Sequence, residues 1–172
     1  MEPRGCEPLT DGFVLLDGYT LDDVDAHVAG EDDEQARRFG WFPKRSTPEG
    51  VRAWFLARQV DWRAGGPRLA WAARDATTLT LVGGCEVFLT GNDQARMSWW
   101  TFPPYRRRGV ASRAARLAAA YAFSHLGVQC LEAVVAIDNA GSHGVARNAG
   151  FAEDGPIDSA GETFIRYLLT TG

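Results

Sequence analysis

The sequence has little of what marks several large protein classes. Among its 18 basic residues only Lys44 is not arginine. With abundant alanine, that reads as the codon bias of a GC-rich genome rather than as an arginine-based function. Its three cysteines, Cys6, Cys85 and Cys130, are odd in number, far apart and outside any C-x-x-C pair. This disfavours a disulfide framework and a metal site and suits a reducing, cytoplasmic setting. No apolar run approaches the roughly 20 residues that cross a bilayer, so no membrane partner is expected. The segment from Met1 to Asp11 carries charges and prolines but no apolar stretch, which argues against a signal peptide and for a flexible N-terminus. A net charge of −4 argues against a nucleic-acid partner. Repeats and low-complexity tracts are missing as well.

What remains is an ordinary globular composition: 172 residues, 45% hydrophobic, 23% charged, with six tryptophans and nine phenylalanines. That is one domain's length, with enough apolar material for its own core. Phe13 to Leu16 reads as a first strand. Thr20 opens a helix, with Asp23 in an approximate capping box and Gly30 as its stop. Glu31 to Ser46 reads as irregular. Thr47-Pro48-Glu49 opens a second helix, closed by Gly65-Gly66. Strands follow at Arg68 to Arg74, at Leu79 to Leu89 with a bulge expected at Gly83-Gly84, and at Ala95 to Phe102. Thr90-Gly91-Asn92-Asp93 is a hairpin signal. An alanine-rich helix runs from Val110 to Leu126, then come a strand at Leu131 to Ile137 and a short helix at Asn139 to Asn148. Two last strands start at Gly150-Phe151 and at Thr163. The order β-α-α-β-β-β-α-β-α-β-β predicts a mixed α/β layer fold.

The stretch richest in chemistry is Pro103-Pro104-Tyr105-Arg106-Arg107-Arg108-Gly109-Val110-Ala111-Ser112. A strand ends, a basic turn with glycine follows, and a helix begins. The first amides of a helix lack internal partners, and the macrodipole adds about half a positive charge there. Small residues at Gly109 and Ala111 let an anion approach the backbone, and three arginines add charge. The same residues also read as a solvated turn before an ordinary helix. Neither a Walker A loop nor a dinucleotide fingerprint is present.

Arg106-x-x-Gly109-x-Ala111 resembles the [Q/R]-x-x-G-x-[G/A] signature of the GCN5-related N-acetyltransferases. Trp99-Trp100-Thr101-Phe102-Pro103 stands where that family has its fourth strand. Ile137-Asp138-Asn139-x-x-Ser142 and Ala149-Gly150-Phe151 follow at the family's spacing. The pattern is most similar to the branch that includes the ribosomal-protein N-terminal acetyltransferases. The resemblance implies acetyl-CoA as acetyl donor, lying in a split between two splayed central strands. It implies that the backbone of Trp100, Thr101 and Phe102 pairs with the pantetheine arm. Arg106, Arg107, Arg108, Gly109, Val110 and Ala111 would hold the pyrophosphate, and Asn139 would stand beside the arm. It implies no metal, and a small-molecule or peptide amine as acceptor, with the protein a monomer or homodimer.

For catalysis the resemblance points to Ser142 as the acid that protonates the leaving sulfur. Many relatives use a tyrosine where this chain has Ala146. Ser142 also reads as a plain first-turn serine, Asn139 as a helix cap, and His143 as a surface residue. The glutamate that many relatives carry before the tryptophans is replaced by Arg96, which leaves Glu86 and Glu132 as candidate bases. Seven of the fourteen residues from Leu21 to Glu34 are acidic. In the family it resembles the first two helices wall the acceptor site, so the resemblance implies that Glu31, Asp32 and Asp33, with Trp41, line it for a cationic amine, such as a protein N-terminus, an aminoglycoside-like antibiotic or a polyamine. The acidic run also reads as a solvated helix face and Trp41 as core. The alternative is an acyl-CoA-binding sensor or scaffold of the same fold.

Overall fold

The computed structural model describes residues 5–40 and 46–172. In chain order it has β1 (Leu9–Thr10), β2 (Val14–Asp17), α1 (Val24–Glu31), α2 (Glu34–Phe39), α3 (Pro48–Ala64), β3 (Arg68–Asp75), β4 (Leu81–Gly91) and β5 (Gln94–Thr101). Then follow α4 (Val110–His125), β6 (Cys130–Ala136), α5 (Ala140–Asn148), β7 (Ala152–Ser159) and β8 (Glu162–Thr170). The strands form one sheet in the order β1-β2-β3-β4-β5-β6-β8-β7. This is the mixed α/β fold that the sequence predicts.

Residue alternation divides the core between the two faces of the sheet. Leu69, Trp71 and Ala73 of β3 join Cys85, Val87 and Met97 under α4. Ala114, Ala115, Ala118, Ala119 and Ala122 are all buried there, and their small side chains let the helix lie close to the sheet. On the other face, Ala70 and Ala72 pack with Tyr19, Val24, Val51, Phe55 and Phe102 under α1 and α3. Thr47 caps α3 by accepting from the Gly50 amide, and Pro48 takes its first turn.

One junction differs from the rest. β5 and β6 are parallel neighbours joined through α4, while every other pair is antiparallel. They pair over only Gln94↔Cys130, Ala95↔Leu131 and Arg96↔Glu132. Beyond that point β5 follows β4 as far as Thr101, and β6 follows β8 as far as Ala136. The sheet opens there into a V.

Three local expectations need correction. The first helix does not stop at Gly30; it begins as a 3-10 turn over Leu21–Asp23 and continues as α1 to Glu31. Gly30 is inside it because a Cβ there would collide with the Phe102 ring. The segment from Glu31 to Ser46 is not wholly irregular. It contains α2, whose N-cap Asp33 accepts hydrogen bonds from the Gln35 and Ala36 amides. The irregularity expected at Gly83-Gly84 falls opposite Ala73/Arg74 and leaves out Val82. The two glycines instead allow close approach: a Cβ on Gly83 would meet the Trp100 carbonyl, and one on Gly84 the Tyr19 hydroxyl and the Trp100 ring.

Candidate active site

The loop at the open end of β5 is shaped by its backbone. After a 3-10 turn over Pro103–Tyr105, Arg106 is extended, Arg107 has φ 62° and Gly109 has φ 77°. Arg107 bears the strain of a left-handed non-glycine residue. Successive amides around left-handed residues form a concave nest that suits an anion, and here the nest runs into the amino end of α4. A Cβ on Gly109 would find only the Arg113 side chain within 4 Å, at 3.8 Å, so the concavity is open. Val110 and Ala111 form the first turn of α4.

The three arginines have different surroundings. Arg107 and Arg108 are exposed, and the Arg108 guanidinium lies 6.0 Å from the Tyr105 ring. Arg106 is turned inward. Its Nε donates to the Thr101 carbonyl at 2.9 Å, and its Nη atoms donate to Asp33 at 2.7 and 3.3 Å. Burial pushes the Asp33 carboxyl up. The Arg106 hydrogen bonds and charge, with the Ala36 and Gln35 amides, outweigh that and hold it below the usual aspartate range. Arg106 thus ties the loop to β5 and to α2.

The alternation of β5 decides which backbone groups face the V. The Phe102 amide donates to the Val82 carbonyl at 2.9 Å, toward β4. Trp100, two residues back and opposite Gly84, turns its backbone the same way. The Met97 amide is taken by the last β6 pair, so the groups directed at the open V are those of Trp99 and Thr101, with the Met97 carbonyl. Of the three residues expected to pair with a pantetheine arm, Thr101 does turn its backbone to the V, while Trp100 turns to β4 and Phe102 gives its amide to β4 and its carbonyl to the Tyr105 amide. Trp99 does face the V. Strand alternation counted from the hairpin at Asn92-Asp93 was the signal that would have found this.

On the far lip, Asn139 caps α5, and its Oδ1 accepts from the Ser142 amide at 3.2 Å. Ser142 lies in the first turn of α5, half-buried, and its Oγ accepts from the Trp99 indole at 3.3 Å. The structure therefore brings Ser142 and Asn139 to the V from one side and β5 from the other. His143 is an anchor: Nδ1 lies 2.9 Å from the Tyr167 hydroxyl and Nε2 lies 3.2 Å from the Ile137 carbonyl. Ala146, where relatives carry tyrosine, is fully buried.

Glu132 and Glu86 do not meet Ser142. Glu132 sits at the root of the V, paired with Arg96 at 2.9 Å. Glu86 lies on β4 beneath α3, 2.8 Å from Arg68 and 3.9 Å from Arg58. Its burial raises the carboxyl above the usual range despite both arginines.

The acidic run is largely paired internally. Asp23 binds Arg74, Asp32 binds Arg37, and Asp33 binds Arg106. Glu31 lies 3.2 Å from the buried His27 and accepts from Ser46. Asp33 and Glu34 still face Asp138, Asn139, Ala140 and Gly141 across a cleft of about 500 Å³ at the mouth of the V. Arg38 bridges this cleft to Asp138 at 3.3 Å and to Glu162 at 3.6 Å. Trp41 lies outside the described residues.

Among the described residues, no group of His, Cys, Asp or Glu is arranged to hold a metal ion. No described helix is long and apolar enough to cross a membrane. Burial pushes the Cys6 thiol up to about 12 and the Cys85 thiol higher still, so neither is a ready nucleophile.

Residues 14–152 match the acetyltransferase (GNAT) domain family. No curated protein matches the chain in sequence. Among solved structures it is similar to RimJ of Mycobacterium smegmatis in complex with CoA-disulfide, at 18% identity and TM-score 0.82, covering 99% of this chain and 90% of that one. It is similar to a GNAT-family acetyltransferase from Bacillus anthracis, at 18% identity and TM-score 0.80, covering 95% and 98%. A spermidine N-acetyltransferase chimera from Vibrio cholerae and hSSAT matches at 14% identity and TM-score 0.74, covering 91% and 95%.

Proposed function

The chain belongs to the acetyltransferase (GNAT) family, and we propose that it transfers an acetyl group from acetyl-CoA to a primary amine in a ternary complex. The observation that carries this reading is the V between β5 and β6, with an open anion nest at one end and a serine hydroxyl on its lip. The sequence pattern resembles that of the branch of ribosomal-protein N-terminal acetyltransferases, and a RimJ structure, at 18% identity, is among the similar ones.

In this reading the amides of Arg107 to Ala111 hold the pyrophosphate, with Arg107 and Arg108 adding charge. The split-facing backbone of Trp99 and Thr101 pairs with the pantetheine arm as an added strand would. Asn139 fixes the first turn of α5 beside it. Ser142 donates its proton to the leaving sulfur. The amine enters through the cleft between α2 and the amino end of α5. It must be neutral to attack, so the rate rises with pH on the acid side of the amine's own pKa. Exposed Asp32 and Glu34 steer a cationic acceptor toward that cleft.

Thiol release from acetyl-CoA is the test, run with a panel of spermidine, aminoglycosides, free amino acids and ribosomal-protein N-terminal peptides. Mass spectrometry identifies the acetylated product. Stoichiometric product with any amine supports an enzyme. Tight acetyl-CoA binding without turnover across the panel supports the sensor or scaffold reading instead.

A further inference from the structure

We infer that Trp99 is a positioning residue for protonation of the leaving group. The inference rests on the proposed role of Ser142 and assigns a function to a hydrogen bond that joins the two lips of the V. The Trp99 indole reaches from β5 to α5 and donates to Ser142 Oγ at 3.3 Å. An indole nitrogen is a donor only, so the direction of this bond is unambiguous. It occupies a lone pair of Oγ and leaves the Ser142 proton to be donated elsewhere. Among the described residues nothing accepts that proton.

Both partners are held. Trp99 packs edge-on against Phe151, with ring centroids 6.0 Å apart, and Phe151 is itself buried. Ser142 is fixed through its own amide to Asn139 and through the neighbouring His143 to Tyr167. Neither the indole nor the serine has to reorganise when the reaction begins.

The step balances as follows. The neutral amine nitrogen bonds to the thioester carbonyl carbon, and the carbon–sulfur bond breaks with its electron pair leaving on sulfur. The sulfur takes the Ser142 proton. The nitrogen sheds its extra proton to water, and Ser142 regains one from water. As the proton leaves, negative charge grows on Oγ, where the Trp99 N–H already points. The bond is therefore stronger in the transition state than in the resting enzyme, which is the condition for raising kcat.

The test is a double-mutant cycle on kcat, by thiol release with the fastest amine of the panel or with water as acceptor. Trp99→Phe removes the donor and keeps an aromatic ring on Phe151. Replacement of Trp99 by benzothienylalanine removes the donor with the shape unchanged, and serves if the phenylalanine variant folds poorly. Each is expected to lower kcat about 3–10-fold, the worth of one neutral hydrogen bond. The acetyl-CoA KM is expected to stay within about twofold. Ser142→Ala is expected to lower kcat further, and either Trp99 replacement on that background to have no added effect. Equal losses from the Trp99 change with and without the serine would show a packing role and overturn the inference. Normal kcat in the benzothienyl protein beside a slow Ser142→Ala would overturn it too, leaving the serine's role intact. Normal kcat in Ser142→Ala would overturn both, while acetyl-CoA affinity by calorimetry still reports on the cofactor site.

Discussion

Gly109 is the residue at which the proposed phosphate site is tested most sharply. Its φ of 77° disfavours any side chain, and its missing Cβ keeps the nest open. Gly109→Ala is expected to cost about 1 kcal/mol of stability through backbone strain alone. Gly109→Glu adds bulk and negative charge where the phosphates would lie. Calorimetry is expected to show at least a tenfold loss of acetyl-CoA affinity in the glutamate variant, well beyond that of the alanine variant. Equal affinities in the two variants would remove the phosphates from this loop. The residue scale also shows what sequence reasoning could not resolve. Arg106, Arg107 and Arg108 are consecutive and chemically identical, yet one is a half-buried tie and two are exposed. Only the fold, which brings Asp33 to the loop from 73 residues away, separates them. Asp33 itself was read as part of an acceptor wall because its carboxylate stands in an acidic run. Its commitments to two amides and one guanidinium are tertiary facts.

Among the described residues, α2 is the shortest α-helix, and both its ends are tied across to other elements. Asp33 ties its start to the loop before α4, and Arg38 ties its end to the far lip. The Asp33 carboxyl lies below the usual aspartate range in the folded protein. Its stabilising contribution is therefore fully present above the unfolded value near 3.9 and is lost as pH falls through the lower folded value. Thermal unfolding of Asp33→Asn against the natural protein is expected to show a constant deficit between pH 5 and 7. That deficit should vanish in strong acid. A deficit that grows on acidification would contradict the pairing. The elements themselves were legible to very different degrees. α3 announced itself through Thr47-Pro48, and the β4–β5 hairpin through Asn92-Asp93, because capping and turn chemistry are local. α2 was hidden because six residues give no periodicity to read. The extension of α1 through Gly30 was hidden because the reason for that glycine is the Phe102 ring, 72 positions further along the chain. The V was expected only from the family resemblance: nothing in the strand sequences of β5 or β6 says where their pairing stops.

At the scale of the whole molecule, the fold gathers acidic side chains on one side of the V mouth and an anion nest at the other end. Internal pairing removes Asp23, Glu31 and Asp33 from the first group, so the steering charge rests on fewer residues than the sequence suggests. Asp32 is 70% exposed at its side chain even while paired with Arg37, and exposed pairs are worth about 0–1 kcal/mol. Asp32→Asn with Glu34→Gln is therefore expected to raise the KM of a cationic acceptor about 2–5-fold at low salt and little at high salt. Acetyl-CoA binding should be unchanged. An acceptor KM that ignores both the substitutions and the salt would show that this run is only a solvated face.

The central claim is that acetyl-CoA occupies the V, with its phosphates in the nest before α4. Residue-resolved amide hydrogen exchange, with and without saturating acetyl-CoA, tests it most directly. The predicted result is slowed exchange at Arg107 to Ala111 and at Trp99 and Thr101, with the Trp100 and Phe102 amides unchanged because β4 already holds them and the Met97 amide unchanged because β6 does. Protection confined to other parts of the chain, or none at a concentration where calorimetry shows binding, would contradict it.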